Sequence, residues 1–347
     1  MPGTDPAEAM RIVAGELPDF PYLPELPDRG PGADLTGRTA ALLVDMPTEV
    51  TLRGWRLADH VGRDLTRARS MLSFDLDELE EVLDGYRGPL KVQLCGPWTL
   101  AATLELPHTM NMALSDPGAV ADLIASLAEG AAAHVAELGK RVPGARLVVQ
   151  LDEPALPSVA QGDVPTASGM SRLAAVEEET LRAGLAQVLT AIRGYTVVHC
   201  CASSVPFGII RTAGADAVAF DLSLLRRGEE QGIGEAAEAG MGLLVGAIPA
   251  VPDGTDGDRE ASRAGEGARN GAAIRPGAES GAQETAERVI RLYQRLGLPL
   301  ATCAGQAVIT PACGLAGASP AQARAALTRC REAASMLPEL IEETGGE

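Results

Sequence analysis

Lysine is nearly missing from this sequence: only Lys91 and Lys140 occur in 347 residues, and arginine supplies the rest of the positive charge. The formal net charge is −18 at pH 7. Without a basic patch, a nucleic acid or an anionic membrane is excluded as the main partner. Aromatic residues make up 3% of the chain. No run approaches the roughly 18 to 20 apolar residues that span a bilayer, and the N-terminus has no basic-then-apolar leader. The expectation is therefore a soluble, cytoplasmic protein with small-molecule partners. There is no CxxC pair, so a structural zinc knuckle is disfavoured. Nor is there a G-x-x-x-x-G-K-S/T, G-x-G-x-x-G or G-x-S-x-G motif, which removes the main residues of nucleotide-cradle and serine-hydrolase chemistry. The six cysteines lack regular spacing and are read as thiols rather than a disulfide framework.

What is present is a repeated alternation. Apolar runs at Leu90–Leu94, Leu147–Leu151, Thr196–His199, Ala217–Phe220, Leu243–Ile248 and Ala307–Thr310 are too continuous for half-exposed strands. They fit parallel strands covered on both faces. Amphipathic stretches separate them, such as the one from Pro320 to Leu337, with Ser319 placed to cap it. In four of the runs polar residues follow directly at the C-terminal end, where (β/α)8 barrels assemble their sites. We therefore expect an α/β fold, a single (β/α)8 TIM barrel over residues 1–347. Residues 15–60, rich in proline, are expected to cross the barrel mouth as an irregular loop region whose compact pieces are VDMPTEV and RGWRLAD. Residues 252–285, rich in glycine and charge, are expected to form a disordered insertion.

The chemistry-bearing residues are scattered. His199 and Cys201 lie two apart at the end of one strand and so face one side, while Cys200 turns into the strand-helix layer. Asp221 ends the next strand, and Cys313 follows the last. Two thiols, an imidazole and a carboxylate form a mixed donor set suited to a zinc ion that takes part in chemistry. The competing reading leaves the cysteines as inert core residues. Asp152 and Glu153 end another strand before Pro154; as neighbours they point opposite ways, so one readily enters the mouth. Such an acid could hold an amino group or act as a base, or the pair could be a cap. Trp98, in Gly96-Pro97-Trp98-Thr99, either lines the pocket or packs on a neighbouring loop.

Taken in order, VQLCGPWTL, VVQLDEPAL, VVHCCAS, AVAFDLS and VITPACGL resemble the C-terminal catalytic barrel of cobalamin-independent methionine synthase, over roughly residues 91 to 315. The fold implied is the barrel shared with uroporphyrinogen decarboxylase. The resemblance implies zinc bound by His199, Cys201, Asp221 and Cys313. It implies a homocysteine site at Asp152 and Glu153, and methyl transfer from a donor to the homocysteine thiol to give methionine.

The sequence also leaves that pattern in places. The acidic ligand of the family is Glu, where this chain has Asp221. Folate-dependent members carry a histidine after the strand matching GAIPAV, where Ile248-Pro249-Ala250 supplies no acid. The family's opening strand ends in Gly-Ser before a proline; here the chain begins Met1-Pro2-Gly3-Thr4, so the first strand is expected to be cut short. A second barrel of the kind that helps hold a folate tail is not expected, so the donor is expected to be either a methyl-folate or a methyl-corrinoid. Two alternatives stand beside this reading: a decarboxylase of the uroporphyrinogen type, which needs no metal-binding thiols, and a non-catalytic zinc- or thiol-binding barrel.

Overall fold

The computed structural model describes residues 1–250 and 278–345. An antiparallel hairpin, β1 (Thr48–Thr51) and β2 (Gly54–Leu57), precedes one parallel sheet. The sheet contains β3 (Gly88–Cys95), β4 (Ala145–Asp152), β5 (Tyr195–Cys200), β6 (Ala217–Asp221), β7 (Gly242–Ile248) and β8 (Ala307–Pro311). Its spatial order is the sequence order. Each apolar run read from the sequence lies in one of these six strands. Helices fill every interval between them, as right-handed crossovers require.

Strand alternation divides the interior into two cores. Leu90, Val92, Val149, Leu151, Val198, Val218, Phe220 and Val245 face outward and pack beneath the helices in the large cluster. Val148, Val197, Ala217, Ala219 and Leu244 face inward, with Phe20 and Val308 against them, and form a small cluster inside the sheet's curve.

The expected (β/α)8 barrel is observed as a six-stranded parallel sheet without a closing pair. Among the described residues β8 is bonded only to β7. At the other edge, Tyr22 makes a single parallel rung with Lys91: Lys91 N donates to Pro21 O at 3.0 Å and Leu23 N donates to Lys91 O at 2.9 Å. Pro21 has no N–H for the preceding rung, which keeps this stave a stub. The helical layer closes where the sheet does not. Helix Pro6–Glu16 packs on both Arg63–Val82 and Pro320–Gly345, and Thr328 Oγ1 donates to Glu16 Oε2 at 2.8 Å. At the N-terminal ends of the strands a cavity of about 200 Å³ is lined by Phe20, Val148, Tyr195, Leu244 and Val308. Amide exchange should report the open edge. Ile309, whose N–H points away from β7, is expected to exchange about ten-fold or more faster than Val197 and His199, which lie in a strand paired on both edges. Equal protection would mean that β8 is paired on its second edge.

Three expectations need adjustment. The region 15–60 contains a helix at Leu35–Ala40 and the β1–β2 hairpin, whose first arm begins in VDMPTEV and whose second lies in RGWRLAD. Residues 252–277 lie outside the described residues, but 278–285 form the first turns of helix Ala278–Leu296. Ala282 and Ala286 are fully buried there, so close approach through small side chains replaces the large apolar residues that the segment lacks. Finally, helix Pro117–Arg141 is long and apolar enough by composition to cross a membrane. Its apolar face is buried in the core through Leu123, Ile124, Leu127, Ala131, Val135 and Leu138.

Candidate functional site

The site gathers at the C-terminal ends of the strands. Asp152 and His199 are rung partners on β4 and β5. Both face inward, so their side chains meet: His199 Nδ1 lies 2.7 Å from Asp152 Oδ1. Gln150 Nε2 donates to the same carboxylate oxygen at 2.6 Å. Burial opposes charge on His199, but the hydrogen bond and negative charge of Asp152 outweigh it and raise the imidazole pKa. The contact fixes the ring through Nδ1 and leaves Nε2 for a ligand, the arrangement usual for a metal-binding histidine.

Cys201 lies two residues past His199. Cys313, 112 positions further along, is brought to it, with the sulfurs 3.4 Å apart. Gly246 makes this meeting possible. A Cβ at that position would stand 2.7 Å from Ala312 Cα and 2.7 Å from Phe220 O, so only glycine lets the chain leaving β8 fold over β7. At 3.4 Å the two sulfurs are within hydrogen-bond reach of each other. Cys313 is lowered to about 6, first by the hydrogen bond with Cys201, against burial and helped by His199, while Cys201 is raised by the same bond and by burial. The first proton leaves readily and the second with difficulty, as in any strongly interacting pair.

Asp221 ends β6 on the inward-facing parity, but its Oδ1 accepts from Ser223 N at 2.8 Å and Ser223 Oγ at 2.6 Å. It caps the short turn Leu222–Leu224. Among the described residues, no three His, Cys, Asp or Glu side chains are gathered as a ready metal site. The structure thus brings together Cys201 with Cys313 and His199 with Asp152, and leaves Asp221 engaged locally.

Glu153 and Trp98 lie on the other side of the sheet. Glu153 is fully buried. Its carboxylate accepts from Trp98 N at 2.9 Å, Thr99 N at 2.7 Å and Thr99 Oγ1 at 2.7 Å, tying β4 to the start of helix Pro97–Thr103. Gly96 leaves room for it: a Cβ there would lie 2.5 Å from the carboxylate. Burial, only partly offset by these hydrogen bonds, raises Glu153 to about 7. Trp98 is buried, with its indole N–H on Leu181 O at 3.0 Å. Of the three residues expected at the substrate, Asp152 alone reaches the interior.

Sequence reasoning passed over the polar wall beside Asp152. Lys91 and Gln93 share the inward face of β3, with Lys91 Nζ donating to Gln93 Oε1 at 3.1 Å and lying 5.5 Å from the centre of the Tyr22 ring. Gln93 Nε2 donates to Leu23 O at 2.8 Å, and Glu25 lies close by. The available signal was Lys91 itself, a lysine within an apolar run of an arginine-rich chain.

No protein-family model matches the sequence, and no curated protein matches it. Among solved structures, the fold is similar to that of a B12-independent methionine synthase from Shewanella sp. W3-18-1, determined in complex with selenomethionine. The TM-score is 0.56 at 15% sequence identity, over 97% of this chain and 89% of that one.

Proposed function

We propose that this chain is a zinc-dependent S-methyltransferase that moves a methyl group onto the thiol of homocysteine, forming methionine. The observation that carries this reading is the pair of thiols from separate strands, Cys201 and Cys313, whose sulfurs lie 3.4 Å apart. In such a pair one thiol loses its proton readily, as Cys313 does here, and the thiolate is the form that ligates a metal. His199, oriented through Nδ1 by Asp152, is the nitrogen donor that completes a soft N/S set of the kind zinc prefers. His199, Cys201 and Cys313 would hold the ion, with Asp221 as the acidic member. When bound, zinc would keep a substrate thiol ionised at neutral pH.

The chain's own residues would then fix the substrate. Asp152, facing the interior, offers a carboxylate to the substrate ammonium. In the transfer the substrate sulfur forms a bond to the methyl carbon, and the bond from methyl to donor breaks with its electron pair staying on the donor. A folate nitrogen leaves well only if it is protonated. β7 runs out in Ile248-Pro249-Ala250, which contributes no acid at that end. That favours a methyl-corrinoid donor, whose leaving group needs no proton.

The test is to purify the protein, measure its zinc, and assay methionine formation from homocysteine with methyl-folate and methylcobalamin in parallel. About one zinc per chain and turnover with at least one donor are expected, with methylcobalamin the better. Metal-free protein with both thiols reduced would overturn the reading. Homocysteine binding without transfer from either donor would favour the non-catalytic zinc-binding alternative.

A further inference from the structure

We propose that Lys91 grips the α-carboxylate of the amino-acid thiol and so makes the site selective for amino acids over simple thiols; this rests on the homocysteine reading above. The inward face of the curved sheet is chemically divided. On β6 to β8 it is apolar, through Ala217, Ala219, Leu244 and Val308. On β3 to β5 it carries Lys91, Gln93, Gln150, Asp152 and His199, with Val148 and Val197 as the apolar members nearer the N-terminal ends of β4 and β5. Lys91 and Gln93 are half-buried, whereas their outward neighbours Leu90, Val92 and Leu94 are buried. The lysine is therefore sunk in the interior, with part of its side chain left uncovered.

An ammonium has three donors, and here one is on Gln93 Oε1 while the Tyr22 ring flanks another side. Gln93 is itself held by Leu23 O, so the lysine head is positioned by a fixed partner. The nearest negative groups are Asp152 and Glu25. Asp152 Oδ1 is already shared by His199 and Gln150. A lysine and a carboxylate on one wall, with Cys201 two residues past His199 at its C-terminal end, match a zwitterion carrying a thiol: ammonium toward the carboxylate, carboxylate toward Lys91. A thiol without the carboxylate would leave the Lys91 donors unmatched.

The experiment compares calorimetric binding of homocysteine and 3-aminopropanethiol, its decarboxylated counterpart, to the wild-type protein, Lys91→Met and Lys91→Arg. Circular dichroism verifies that each variant is folded. The wild type is expected to prefer homocysteine by about 10- to 100-fold, the value of a charge-assisted hydrogen bond. Lys91→Met should bring the ratio close to one by weakening homocysteine alone, and Lys91→Arg should keep part of it. If Lys91→Met weakens both thiols equally, or leaves the ratio intact, Lys91 is only a counter-ion and the proposal falls. If Lys91→Met is unfolded, Lys91→Gln replaces it in the same comparison. Wild-type protein that binds neither thiol overturns the homocysteine reading together with this one.

Discussion

Replacing Cys201 or Cys313 with serine is expected to lower the zinc content of the purified protein from about one equivalent per chain to below roughly a tenth, and methyl transfer with it. Each sulfur reaches the pair from its own strand end, Cys201 from β5 and Cys313 from beyond β8, so neither can be replaced by a neighbour in sequence. Serine keeps the size and loses the ligand, because its hydroxyl does not ionise at neutral pH while a cysteine thiol does so readily beside a metal. Cys200 supplies the control. It lies between His199 and Cys201 but is fully buried on the outward face, and burial raises its thiol to about 12. Cys200→Ser should therefore leave zinc untouched while costing some stability. Metal analysis of the three variants alongside their circular dichroism separates ligand loss from unfolding. Unchanged zinc in both the Cys201 and Cys313 variants would remove the thiol pair from the site.

The contrast between Cys200 and Cys201 shows what a sequence discloses about such a site. Parity along a strand is local, so the inward aim of His199 and Cys201 and the opposite aims of Asp152 and Glu153 could be read directly. The six parallel strands were legible for the same reason, since burial on both faces leaves an almost unbroken apolar run. What could not be read was set by contacts distant in sequence or by local competition. The approach of Cys313 to Cys201 depends on Gly246, a strand glycine that carries no chemistry of its own. Asp221 shares the inward parity, yet the serine two residues on captures its carboxylate, a short-range bond that Asp makes wherever a turn follows. Trp98 could line a pocket or pack on a neighbour, and only the folded chain decides, its N–H finding Leu181 O across the helical layer. Lys91 stands out in the sequence only as one of two lysines, although a lysine inside an apolar run needs a reason to be there. The Tyr22 stave was hidden among prolines that limit it to one rung.

Glu153 gives the second large effect, and it acts through stability. Its carboxylate is the acceptor for Trp98 N, Thr99 N and Thr99 Oγ1, all buried. Glu153→Ala would leave these donors without a partner beside a new void, at a cost of about 3 to 5 kcal/mol in urea unfolding. The glutamine variant isolates the charge. Burial raises the native pKa of Glu153 from 4.5 to about 7. Between those values the native state holds the proton more tightly than the unfolded chain. The contribution of Glu153 to stability is therefore fullest below about pH 4.5 and declines by about 3 kcal/mol as the pH rises to about 7, then levels off. Glu153→Gln cannot ionise, so it escapes this decline, although its amide N–H₂ now faces a donor. The variant should be the less stable protein near pH 5, and the gap should narrow steadily toward pH 7.5. A gap that stays constant over that range would mean that Glu153 is ionised throughout, and that its three hydrogen bonds outweigh the cost of burying the charge.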